Sequence, residues 1–119
     1  MKKTVVLGAS DNPSRYSYLA AEKLKRYGHP VVAIGRKEAV VNGTPIITTR
    51  PDEKEVDTVT LYLNPQNQQP YYDYIVSLHP KRIIFNPGTE NDELYEIAKE
   101  NGIETLEACT LVLLGTGQY

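Results

Sequence analysis

Arg36 and Lys37 end the run VVAIGRK (31–37), in which Val31, Val32, Ala33 and Ile34 lead through Gly35 into two adjacent cations. The apolar part has the composition of a short strand buried on both faces. In sheets that bind dinucleotides, the end of the second strand usually carries an acid that accepts hydrogen bonds from the adenosine ribose of NAD. Two bases there call for a different group. Exposed cations are by default a solvated edge, but at a strand end they also suit a phosphate. A free 2′- or 3′-phosphate on an adenosine ribose has that chemistry, which makes NADP and coenzyme A the candidate ligands.

The stretch GASDNPSRYS (8–17) follows the first apolar run. Gly8 permits a sharp turn, and Ser10, Asn12 and Ser14 set polar side chains just ahead of a helix. At that amino end, free backbone N–H groups and the helix dipole favour an anion such as pyrophosphate, and Arg15 strengthens the case. Each of the three polar residues is equally a candidate helix cap. Only one glycine of the G-x-G-x-x-G fingerprint is present. Further along, Asn64-Pro65 and Asn86-Pro87 follow two more apolar runs. Their asparagines can hold the turn or reach a ligand. Cys109 follows a fifth run beside the same expected rim, although a lone cysteine is more often a small buried hydrophobe.

Strands and helices must bring these residues together. TVVLG (4–8), VVAIG (31–35), TVTLYL (58–63) and RIIFN (82–86) read as buried strands, and IETLEA (103–108) alternates as a fifth. Between them, SRYSYLAAEKLKRYG (14–28) places Tyr16, Leu19, Ala20, Leu24 and Tyr27 along one helical stripe. PQNQQPYYDYIVSLH (65–79) stacks Tyr71, Tyr74, Ile75 and Leu78, with regular helix from about Pro70, and NDELYEIAKENG (91–102) turns Leu94, Ile97 and Ala98 inward. Segment 38–55 has a turn signal at Asn42-Gly43 and no long helix is expected there. The alternation predicts one α/β domain over 1–119, a Rossmann-like three-layer fold with a five-stranded parallel sheet. Such sheets bind ligands at the carboxyl ends of their strands.

Thirteen Lys+Arg against fifteen Asp+Glu leave a net charge of −2, without the basic surface of a nucleic-acid-binding domain. The apolar run Val5–Ala9 falls short of the ~7 residues of a secretory core and the ~20 of a membrane span. One cysteine cannot make an internal disulfide and no Cys/His cluster offers a metal site, so a cytoplasmic protein is expected. His29 and His79 stand away from the expected rim and read as structural. No Ser/His/Asp arrangement or other complete catalytic set is present.

The motifs GASDNPSRYSY, GHPV, LYLNP, NPGTEN and EAC, in this order and almost end to end, resemble the small single-domain CoA-binding proteins. The chain is also similar to the CoA-binding domain of the succinyl-CoA synthetase alpha subunit. That resemblance implies CoA contacts from the loop after strand one (Ser10, Asp11, Asn12 and Pro13), from Lys37 after strand two, and from Asn86, Pro87 and Gly88 after strand four. It also implies that the pantetheine end comes near Cys109. The phosphorylated histidine and further domains of the synthetase have no counterpart here. The expected function is therefore a non-catalytic or regulatory module that binds CoA or an acyl-CoA. The alternatives are an NADP-binding oxidoreductase and a protein-interaction module with a vestigial nucleotide pocket. A protein partner or a homo-oligomer is compatible with each.

Overall fold

The structure, a computed structural model, describes residues 1–119. In chain order its elements are β1 (Thr4–Ala9), α1 (Tyr16–Arg26), β2 (Val31–Gly35), β3 (Ala39–Val41), β4 (Thr44–Ile47), β5 (Thr58–Leu61), α2 (Pro65–Gln68), α3 (Tyr72–Leu78), β6 (Arg82–Phe85), α4 (Asp92–Glu100), β7 (Glu104–Glu107) and α5 (Thr110–Gly115). A short 3-10 turn, Gln69–Tyr71, joins α2 to α3. Regular helix thus follows Pro70 closely, as its fixed φ and missing N–H require.

The strands form one sheet in the order β3-β4-β2-β1-β5-β6-β7. Only the β3–β4 pair is antiparallel. All five expected strands are present, but the sheet has seven, and the count of five is corrected by segment 38–55. Asn42 (φ 47) and Gly43 (φ 82) both take positive φ, the backbone a two-residue hairpin turn needs. The returning strand then pairs parallel to β2, through Ala33 with Ile46 and Ile34 with Ile47. Pro45 lacks the N–H that an interior strand donates to its ladder. It is tolerated because it stands before the paired stretch with β2, opposite Val40 of β3 alone.

Counted along the six parallel strands the order is 3-2-1-4-5-6, that of a doubly wound dinucleotide-binding sheet, with the switch point between β1 and β5. Side chains alternate across it. Val5, Leu7, Val59, Leu61, Ile83 and Phe85 pack with Tyr74, Ile75 and Leu78 of α3 and Leu94 and Ala98 of α4. Val6 and Ile84 face the other way, toward Leu24 of α1 and Leu114 of α5. Period-two alternation with both faces covered is why these strands read as unbroken apolar runs. The three expected layers are present.

The stripe expected on α1 holds at Ala20 and Leu24 and is otherwise turned. Its buried residues are Ser17, Ala20, Ala21 and Leu24, whereas Tyr16 is 72% exposed and Leu19 and Tyr27 are exposed as well. The helix seats on its small side chains, and that rotation carries Tyr16 out to the carboxyl rim of the sheet.

Candidate functional site

A cavity of about 700 Å³ opens at the carboxyl ends of the strands, across the switch point between β1 and β5. Two close approaches shape its floor. A Cβ on Gly8 would stand 2.9 Å from the carbonyl carbon and oxygen of Tyr62, and one on Gly35 would stand 2.4 Å from the carbonyl oxygen of Ala9. Only glycine lets these strand ends come so near, and Gly8 also has φ +93.

Above that floor stand three cations, Arg15, Arg36 and Lys37, and one carboxylate, Asp11. Lys37 Nζ is 3.8 Å from Asp11 Oδ1, so the loop after β1 meets the end of β2 at the mouth. Arg15 and Arg36 form no ion pair. In a chain of net charge −2 this is a local concentration of positive charge at the cavity.

None of the three polar residues ahead of α1 caps it. Asn12 N–H donates to Ser10 Oγ at 3.1 Å, while Asn12 Oδ1 accepts from Ser14 N–H at 3.0 Å and Ser14 Oγ at 2.7 Å. These side chains order the loop among themselves. Arg15 occupies the cap position without a side-chain cap, and no acid lies in the first turn. The first amides of α1 therefore have no side-chain acceptor, at a helix end whose Tyr16 and Ser17 line the cavity.

The opposite wall comes from the loops after β5 and β6. Asn64 Oδ1 accepts from Asn67 N–H at 2.9 Å and caps α2, so its turn chemistry is in use while it also lines the cavity. Gln68, fully buried, holds the two loops together. Its Nε2 donates to Leu63 O and Thr89 O, both at 2.8 Å, and its Oε1 accepts from Asn91 Nδ2 at 2.8 Å. Asn91 caps α4 through its Oδ1 and donates as well to Tyr72 Oη at 2.8 Å. Tyr71, also on the lining, has the Arg50 guanidinium 4.3 Å from its ring centre, and Arg50 donates to Pro70 O at 2.7 Å.

Of the residues expected at the site, Gly8, Ser10, Asp11, Asn12, Arg15, Arg36, Lys37, Asn64, Pro87 and Gly88 line this one cavity. Three stand apart from it. Pro13 is exposed outside the lining. Asn86 is 2% exposed and lies beneath the rim. Cys109 is half-buried ahead of α5, also outside the lining. Tyr62 lines the cavity with its backbone near Gly8, but its hydroxyl is buried without a hydrogen-bond partner. Burial pushes its pKa up, moderated by the nearby Thr110 and Thr60 hydroxyls. Those hydroxyls bond to each other at 2.8 Å.

Tyr16, Ser17, Asn67, Gln68, Tyr71 and Thr89 are site or supporting residues that sequence reasoning missed. Asn67, three residues past Asn64 in a cap-and-acceptor spacing, carried the clearest signal for inclusion. His29 accepts from Lys2 N–H at 3.0 Å through Nδ1, next to the amino end of β1 and remote from the rim. His79 ends α3 in a left-handed conformation. No group of three or more His, Cys, Asp or Glu is placed to hold a metal ion, and no helix is long and apolar enough to cross a membrane.

Fold and site together define a doubly wound α/β domain with a cation-rich cavity at its switch point. Residues 2–115 match the family of CoA binding domains, and the chain belongs to that family. Among solved structures it is similar to an uncharacterized protein at 59% identity, with a TM-score of 0.97 over 100% of this chain and 98% of that one. A conserved hypothetical protein from Pyrococcus furiosus shares the fold at 24% identity and TM-score 0.82, over 94% and 98% of the two chains. The acetyl-coenzyme A synthetase 1 of Ca. Korarchaeum cryptofilum, solved with phosphate and ADP, matches at 19% identity and TM-score 0.72. That match covers 89% of this chain and 25% of the synthetase, and it shows a common fold. No curated protein matches the chain significantly.

Proposed function

We propose that this cavity binds coenzyme A or an acyl-CoA, and that the domain is a non-catalytic or regulatory binding module. One observation carries the reading: Arg15 ahead of α1 and the adjacent Arg36 and Lys37 after β2 converge on one cavity beside the uncapped amino end of α1. Pyrophosphate suits Arg15 and the free amides, and the 3′-phosphate suits Arg36 and Lys37. The pantetheine arm then runs along the loop after β5, which leaves the Gly88 amide after β6 to the pyrophosphate. A volume of about 700 Å³ is within the range of small-molecule sites. Membership of the CoA binding domain family supports the same ligand. The ionisable side chains toward the cavity are three cations, Tyr16, Tyr71 and one carboxylate already facing Lys37, a set suited to holding phosphate. A cytoplasmic setting accords with the single free thiol.

Mass spectrometry of the natively purified protein should find a CoA species bound. In calorimetry CoA should bind about tenfold or more tightly than 3′-dephospho-CoA, since a charge-assisted contact contributes ~1.5–3 kcal/mol. Equal affinity for the two would remove Arg36 and Lys37 from the site. The same two cations favour a second reading, NADP bound through its 2′-phosphate, although most glycines of the dinucleotide fingerprint are missing. Preference for NADP over both CoA forms would establish it. Binding of none of the three would leave a protein-interaction domain with a vestigial pocket.

A further inference from the structure

Two of the anion donors in this cavity already hold anions of the protein's own. At the mouth, Lys37 Nζ faces Asp11 Oδ1 at 3.8 Å. On the opposite wall, Gly88 N–H donates to Glu90 Oε1 at 2.9 Å. Both contacts are loosely held. The side chains of Lys37 and Asp11 are 76% and 45% exposed, and Glu90 lies on the surface. Gly88 takes φ +92, and a Cβ placed on it would meet no atom within 4 Å, so the backbone here borders open space. A carboxylate oxygen is a fair chemical substitute for a phosphate oxygen. Each is an anionic acceptor, and here Glu90 Oε1 stands at hydrogen-bond distance from its N–H while Asp11 Oδ1 stands at ion-pair distance from its ammonium.

We propose that Asp11 and Glu90 hold the places of ligand phosphates, and that binding displaces both carboxylates, so that these two residues set the cavity's affinity and selectivity for phosphorylated ligands. This rests on the reading of the cavity as a CoA site. A phosphate arriving at Lys37 must move Asp11 aside or meet its repulsion. Only a ligand that carries a phosphate there gains enough to do so. Asp11 thereby lowers the affinity for ligands phosphorylated at that position, while dephosphorylated nucleotides leave the Lys37–Asp11 pair intact and neither gain nor lose by it. Glu90 acts on the phosphate that takes the Gly88 amide, whether or not a ribose phosphate is present. Neither residue needs to touch the bound ligand.

The test is calorimetry of Asp11→Asn, Glu90→Gln and the double variant, with CoA and 3′-dephospho-CoA as probes and thermal melts to verify folding. An exposed charge pair is weak, so Asp11→Asn should tighten CoA binding only about two- to fivefold. It should leave dephospho-CoA unchanged. Glu90→Gln should tighten both ligands by a similar factor, and the double variant should show the product. CoA affinity equal to or below wild type in a folded variant overturns the assignment for that residue. If wild-type protein binds no CoA, the reading of the site has failed, and inorganic pyrophosphate becomes the probe, followed by the Gly88 amide resonance. Response of that amide at lower pyrophosphate in Glu90→Gln than in wild type would sustain the displacement. No response in either protein would end it.

Discussion

Asn86 Oδ1 accepts the backbone N–H of Thr110 at 2.9 Å, which ties the end of β6 to the start of α5 beneath the cavity. The same side chain donates to Thr60 Oγ1 at 2.7 Å and to Leu61 O at 2.8 Å. All of its polar atoms are therefore engaged inside the protein. Asn86→Ala would strand those partners, and at 1–3 kcal/mol for each buried group left unpaired the expected loss is about 2–4 kcal/mol after partial relaxation. Urea denaturation measures it. Asn86→Asp keeps an acceptor for Thr110 but turns an oxygen toward Leu61 O, so it should not restore wild-type stability. A variant as stable as wild type would free Asn86 for direct ligand contact.

Gln68 has the corresponding role between the loops after β5 and β6. Gln68→Met retains the volume but removes the bonds to Leu63 O, Thr89 O and Asn91 Nδ2. Stability should fall by about 2–4 kcal/mol. Amide exchange at Gly88 and Thr89 should quicken by more than it does at β1, because the lost bonds hold that wall of the cavity. Uniform acceleration would mean that Gln68 supports the whole fold and not the wall.

Gly35 and Gly88 differ in why they are glycines, and alanine at each should separate the reasons. At Gly35 the added Cβ meets the fixed Ala9 carbonyl at 2.4 Å and Ile46 Cγ2 at 3.0 Å, so β1 and β2 must part. A core overpacking cost of about 1–3 kcal/mol is expected, together with weaker binding. At Gly88 space is open and only the φ of +92 is at stake, which costs about 1–2 kcal/mol. Thermal denaturation of the two variants should show the larger loss at Gly35.

Burial lowers the pKa of His29, with the amino terminus and Lys2 adding to the effect. Its Nδ1 accepts a hydrogen bond from Lys2 N–H, which requires the unprotonated nitrogen. The unfolded chain thus binds a proton at a pH where the folded protein does not. Stability is unaffected by His29 well above 6.5, falls as the pH drops through that unfolded value, and levels off below the folded one. Urea denaturation at pH 7.5 and pH 5 should show the decline, and His29→Asn should flatten it. An unchanged slope in the variant would assign the acid sensitivity to other groups.

Local pattern was enough to read most of this protein. Four apolar runs are strands because β-branched residues buried on both faces need no tertiary information to be recognised, and β7 was legible by its alternation. The rim was legible for a related reason. In a parallel sheet every strand points the same way, so Gly8 at the carboxyl end of β1 and Lys37, Asn64 and Gly88, each just past a strand, had to share one end of it. What the sequence could not determine was whatever depended on the partner an element meets. Strand β4 is four residues long and contains Pro45, and it exists because β2 and β3 supply its hydrogen bonds. The face of α1 was decided by how closely the helix approaches the sheet, which buries Ala20 and Ala21 and turns Tyr16 to the cavity. For Asn86 the sequence offered a turn residue or a ligand contact. The choice was made by Thr60, Leu61 and Thr110, which come from two other elements and leave its side chain no free hydrogen-bonding atom.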